Sequence, residues 1–146
     1  MNELHLPPTD AHGEPIIDVD AAAPGPIHES HRRPLRVGAA QLGPIRRDES
    51  RREVVDRLIN LLRQAATGGV ELVVYPELAL TTFFPRWFVD YEPDLDLDSF
   101  YDTEMPCPET KRLFDEAELL GVGFCLGYAE LTPDGHRYNT QILVER

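Results

Sequence analysis

Glu77 directly follows an apolar run that closes in proline, Val70-Glu-Leu-Val-Val-Tyr-Pro-Glu77, and a carboxylate so placed is suited to general-base work. A strand that stops at Pro76 delivers the next side chain to the C-terminal rim of its sheet, where α/β proteins hold their sites. Position alone also allows a helix cap or an ion-pair partner. Beyond it, Phe83, Phe84 and Trp87 either line a pocket beside Glu77 or close the core. Arg86 either grips a substrate carboxylate or neutralises the acidic residues that follow. Glu130, at the end of a later apolar run, is either a supporting group on the same rim or a surface carboxylate before a turn. Asn139 either orders a hairpin through backbone hydrogen bonds, the favoured reading, or touches substrate.

The remaining reactive side chains lack partners at useful spacing. Cys125 lies between Phe124 and Leu126 inside a predicted strand, where a small thiol packs as an inert apolar side chain. Cys107 precedes a predicted helix, a position that favours a thiolate, yet no His or Lys adjoins it as a base. Lys111, the only lysine, falls on the polar side of that helix. Four of the five histidines lie in the first 33 residues without the paired Cys or His spacing of a metal site. Asp94, Asp96 and Asp98 imitate the start of a calcium loop, but Ser99 and Met105 stand where Gly and Glu are required.

Positioning these groups falls to a short series of elements. Residues 1–33 carry five prolines and almost no apolar period, and are expected to be a disordered extension. Leu35–Gln41 is a first buried strand. Ser50 and Glu53 have capping-box spacing, and Val54, Val55, Leu58, Leu61, Leu62 and Ala65 form one helical stripe that Gly68-Gly69 ends. Val70–Tyr75 is then a second strand, parallel to the first through a right-handed crossover. Pro108 suits a first helical position, and Leu113, Phe114, Ala117 and Leu120 form the stripe of a second helix that stops at Gly121. Val122–Glu130 and Tyr138–Val144 pair as an antiparallel hairpin around Pro133-Asp-Gly-His136.

The chain has 146 residues, room for one domain plus a tail. A net charge of −12, from 26 acidic against 14 basic residues, offers no electrostatic footprint for nucleic acid. Two cysteines make no disulfide framework, and the N-terminus has neither the basic nor the apolar region of a secretion signal, so the expected setting is reduced and cytoplasmic. No run approaches the ~18 apolar residues of a membrane span. A flavodoxin-like nucleotide binder is disfavoured because no Gly-rich turn follows either early strand.

The run from Tyr75 to Trp87 resembles the first glutamate motif of the nitrilase superfamily, the carbon–nitrogen hydrolases. Its extension Leu78-Ala-Leu-Thr-Thr-Phe-Phe-Pro-Arg-Trp87 is similar to the N-carbamoyl-D-amino acid amidohydrolases, and Asp98-Ser-Phe-Tyr101, Thr103-Glu-Met-Pro106, Leu126-Gly-Tyr-Ala-Glu-Leu131 and Tyr138-Asn-Thr140 agree with that narrower group. The resemblance spans residues 35–146. It implies an α/β fold, the first half of a four-layer α-β-β-α sandwich, in which Val37, Leu72, Val74, Phe124, Leu126 and Ile142 would face a second sheet. It also implies that Glu77 is the general base of a Glu, Lys, Cys triad whose Lys and Cys belong to segments beyond Val144, so that the chain by itself is expected to be inactive. Lys111 does not inherit the catalytic lysine's role. The implied reaction is cofactor-free and metal-free hydrolysis of N-carbamoyl-D-amino acids to D-amino acid, carbon dioxide and ammonia. The complete enzyme would be a homo-oligomer that binds this small-molecule substrate, with no nucleic acid or membrane partner. The alternatives are another nitrilase-superfamily amidase or nitrilase, and a non-catalytic fragment or partner-binding half-domain.

Overall fold

The computed structural model describes residues 33–86 and 96–146. The expected disordered extension with its histidines, Trp87, and the Asp94 end of the acidic segment lie outside the described residues. Pro34–Arg146 forms one compact unit. It contains a four-stranded sheet in the order β1-β2-β3-β4, with β1 at Val37–Ala39, β2 at Leu72–Val74, β3 at Gly123–Leu131 and β4 at Arg137–Val144. The first three strands are parallel, and β4 returns antiparallel to β3 from Phe124↔Val144 to Leu131↔Arg137. The turn between them uses Gly135 at φ 85°, a conformation that suits glycine, and Thr132 closes it by accepting from Gly135 and donating to His136 through the backbone.

Both parallel connections are helical. Helix α1, Arg51–Thr67, starts on the capping box: the Ser50 hydroxyl accepts from the Glu53 amide, and the Glu53 carboxylate accepts from the Ser50 amide at 2.8 Å. Its buried stripe is Val54, Val55, Leu58, Ile59 and Leu62. Helix α2, Lys111–Leu120, begins later than expected, because Cys107 to Thr110 forms a tight turn in which the Thr110 hydroxyl accepts from the Cys107 amide at 2.9 Å. Gly121, left-handed at φ 63°, ends it.

Two crossovers of the same hand along one direction of the strand order place both helices on one face of the sheet. The main core therefore joins Val54, Val55, Leu58 and Leu62 of α1, Leu113 and Ala117 of α2, and Phe124, Leu126 and Tyr128 of β3. Phe124 meets Phe114 and Tyr75 edge-on, and the buried Tyr75 hydroxyl donates to the Leu58 carbonyl at 2.9 Å.

The other face is only partly covered. By strand alternation and register, Val37, Ala39, Leu72, Val74, Cys125, Gly127, Ala129, Asn139, Gln141 and Leu143 share it. Val37 is 52% exposed and Leu143 60%. This corrects part of the sequence-based expectation: Phe124 and Leu126 are completely buried under the helices, and Ile142 packs against the same core. A one-residue shift in the assumed alternation of β3 and β4 accounts for the difference, since it transfers a whole side-chain set to the opposite face. Cys125, expected to be buried, is half-buried on the open face.

Candidate active site

β2 is short because Pro76 has no N–H to give to the ladder. The edge of β3 beyond it is satisfied piecewise. Tyr75 N–H bonds to Cys125 O at 3.0 Å, Ala79 N–H to Gly127 O at 2.9 Å, and Asp102 N–H to Ala129 O at 2.8 Å. Between the first two bonds the chain bulges outward, because Pro76, Glu77 and Leu78 stand where the ladder takes a single residue. Leu78 sits at φ 49°, a left-handed conformation that costs a non-glycine residue on the order of 1–3 kcal/mol and tends to occur where function requires it.

The bulge lies on the open face, against Gly127. A Cβ at Gly127 would stand 3.2 Å from Glu77 Cα, 3.3 Å from Leu78 N and 3.3 Å from Pro76 O, all closer than ordinary packing allows. Glycine suits this position because another backbone crosses directly over it and would have to shift to admit a Cβ. Glu77 projects outward and is exposed, and its Oε1 accepts from the side-chain amide of Asn139 on β4. Asn139 pairs with Ala129, next to the Gly127 surface.

A second, small apolar cluster holds the bulge down. Leu78, Phe84, Phe100 and Ala129 are buried together, and the Phe84 ring stacks on Phe100 at 5.0 Å and tilts against Tyr101 at 5.3 Å. Phe84 is thus 7% exposed and packs beneath the turn, whereas Phe83 is 49% exposed and available to a ligand or to further chain. Polar bonds add to this. Arg51, in the first turn of α1, donates to the Leu80 carbonyl and meets Asp102 Oδ2 as an ion pair at 3.2 Å. Burial pushes the Asp102 carboxyl above the ordinary range, with Arg51 opposing the shift.

Glu130 occupies the opposite side of the sheet from Glu77. It follows Tyr128 on the helix-facing alternation of β3, and its Oε2 accepts from the Thr140 hydroxyl at 2.5 Å. Arg86 is exposed at the end of the 3-10 turn Phe84–Arg86. Cys107 lies beside Asp102 and the Thr110 hydroxyl, while Lys111 pairs with Asp115 on the helix surface; neither joins the Glu77 bulge. Among the described residues no group of three or more His, Cys, Asp or Glu side chains could hold a metal ion. Among the described residues, cavities lie both beside the turn after β2, where Arg51, Leu80, Thr82 and Phe100 line one of about 190 Å³, and away from it. The one of about 360 Å³ is at the other end of the sheet, lined by Leu35, Leu72, Gly123 and Leu143.

An exposed carboxylate on a strained bulge at the C-terminal end of a parallel strand, oriented by one amide, is equipped to move protons. Residues 36–146 match the family described as carbon-nitrogen hydrolase. The chain belongs to the carbon–nitrogen hydrolase family. Its fold is similar to that of a carbon-nitrogen hydrolase from Helicobacter pylori G27, at 23% identity and a TM-score of 0.56, over 76% of this chain and 35% of that one. It is also similar to a glutamine-dependent NAD(+) synthetase from Cytophaga hutchinsonii, at 21% identity and a TM-score of 0.52, over 76% of this chain and 17% of that one. The chain therefore spans about a third or less of the length of these two proteins.

Sequence reasoning placed Glu77 after the strand but did not find what surrounds it. Asn139 was assigned to hairpin order, and its amide instead reaches Glu77. Gly127 was not singled out, although a glycine in the middle of a strand is a signal of close backbone approach. The Arg51 and Asp102 pair joins residues 51 apart and left no sequence signal.

Proposed function

We propose that this chain supplies the general base of a carbon–nitrogen hydrolase whose substrates are N-carbamoyl-D-amino acids. Glu77 takes the proton of a cysteine thiol furnished by the remainder of the domain, and the thiolate attacks the carbamoyl carbon. A lysine from that remainder stabilises the tetrahedral oxyanion. The adduct collapses by breaking a carbon–nitrogen bond, and the departing amine takes the proton back from Glu77; Glu77 then activates the water that hydrolyses the thiocarbamoyl intermediate, and the products are D-amino acid, carbon dioxide and ammonia. The enzyme works in the cytoplasm as a homo-oligomer, without cofactor or metal.

The observation that carries this proposal is the exposed Glu77 carboxylate on the bulge after β2, with one oxygen held by Asn139. Support for the substrate class comes from the resemblance of Leu78–Trp87 and Tyr138–Thr140 to the carbamoyl-D-amino acid amidohydrolases. The second reading, another amidase of the same family, rests on the similarity to a glutamine-dependent enzyme and differs only in the acyl group attacked.

Ammonia release decides between them. The chain is assayed alone and after addition of a carbon–nitrogen hydrolase C-terminal half, on N-carbamoyl-D-phenylglycine, its L-enantiomer and glutamine. Release from the D-substrate only in the mixture, abolished by Glu77→Gln, is the expected result. Turnover retained in Glu77→Gln removes the base assignment, and preference for glutamine transfers the activity to the amidase reading.

A further inference from the structure

The Glu77 carboxylate has two oxygens and a single side-chain partner among the described residues, the Asn139 amide. An ionised carboxylate only accepts, so the NH₂ group of Asn139 and not its carbonyl must face it. Asn139 stands on the open face of β4 opposite Ala129, two residue pairs beyond the Gly127↔Gln141 pair. The backbone of Glu77 itself rests on Gly127, 3.2 Å from the place where a Cβ would be. Gly127 thus sets how close the bulge comes to the sheet, and Asn139 sets the direction of the side chain.

We propose that Asn139 and Gly127 are positioning residues for Glu77: the bare strand surface seats its backbone, and the amide ties Oε1 so that Oε2 is the oxygen that takes and returns the proton. This rests on the proposed role of Glu77 as general base. The contact is solvent-exposed, so its contribution is to geometry more than to stability. A general base must meet the proton within hydrogen-bond reach, and a displacement of about 1 Å can reduce turnover about 100-fold. Gly127 has no left-handed torsion, so an alanine there acts through its contact with Pro76, Glu77 and Leu78 and not through backbone strain.

The first measurement is on the full chain alone. The side-chain ¹⁵N–¹H resonances of Asn139 are compared between the native chain and Glu77→Ala; a displaced pair and faster exchange of those protons in the variant are expected. Unchanged resonances and exchange overturn the proposal whatever the chain catalyses. The second uses the chain mixed with a carbon–nitrogen hydrolase C-terminal half, comparing Asn139→Leu, Gly127→Ala and, as a control on the helix-facing side, Thr140→Val. The expected result is a kcat about 100-fold lower in Asn139→Leu and lowered in Gly127→Ala, with KM within about 2-fold. Thr140→Val should keep its kcat, and Asn139→Leu and Thr140→Val should keep the thermal transition of the native chain. Hydrolysis abolished by Glu77→Gln yet unaffected by Asn139→Leu overturns this inference alone. Hydrolysis that survives Glu77→Gln overturns the functional reading, and the positioning role in catalysis with it. A raised KM at constant kcat would make Asn139 a substrate contact instead.

Discussion

Asp102 links the bulge to the rest of the molecule. It is 8% exposed, its backbone continues the β3 edge, and its carboxylate meets Arg51, which also holds the Leu80 carbonyl. Burial raises its pKa, so the native state keeps this proton at pH values where the unfolded chain has already lost it. Stability therefore falls as pH rises from the ordinary aspartate value of 3.8 through the raised native value. Other acids contribute the opposite sign: Glu49 held low by Arg57, Glu53 by Ser50, Glu116 by Arg63 and Asp134 by Thr132 each favour the native state above their unfolded pKa, a stability lost as pH falls. Subtracting Asp102→Asn from the native chain cancels those shared terms. Urea midpoints measured between pH ~4 and ~7 should show the native chain losing stability relative to the variant as pH rises through this window. A pH-independent difference would show that Asp102 does not titrate abnormally.

At the scale of elements, α1 does most to place the site. Its first turn carries Arg51, its capping box fixes where that turn begins, and its last turn runs into Gly68 and Gly69 before β2. Ser50→Ala removes the hydroxyl that accepts from the Glu53 amide and should cost about 1 kcal/mol of stability, read as a lower urea midpoint with an unchanged slope. An unchanged midpoint would mean that water satisfies the exposed amides equally well. Between α1 and α2, Arg63 forms a two-bond pair with Glu116 and Arg112 pairs with Asp56, but such surface pairs are worth little and the helices owe their seating to the shared apolar stripe.

At the scale of the whole molecule, one face of the sheet is finished and the other is not. The helices seal Phe124, Leu126 and Tyr128, and the Phe84 cluster covers the far end of the opposite face. Between them Val37 and Leu143 stay mostly exposed on a surface that also bears Leu72, Val74 and Cys125. A contiguous apolar surface of this kind drives association. Sedimentation of the chain should show self-association at micromolar concentration, and Leu143→Glu should shift it toward monomer, since a charge opposed to a like surface penalises the interface while the side chain is already exposed. A native chain that is monomeric with a sharp thermal transition would show that the face is content with water.

Several features of this protein were legible without coordinates. The Ser50 and Glu53 spacing and the 3.6-residue stripe of α1 are local, and so is the Asp134-Gly135 turn, because each depends on residues within a few positions of one another. Glu77 was legible for the same reason: the proline that ends its strand is its own neighbour. What only the tertiary structure decided is which groups meet across long loops. An apolar run such as Val122–Leu131 does not reveal which alternate residues face the helices, and that choice put Phe124 under α2 and left Cys125 outside. It also separated Glu130 from Glu77 by the thickness of the sheet. The meeting of Glu77 with Asn139, 62 positions later, arises because β3 and β4 are in one register and Gly127 lets a backbone cross, conditions that are set by packing and not by local chain preference.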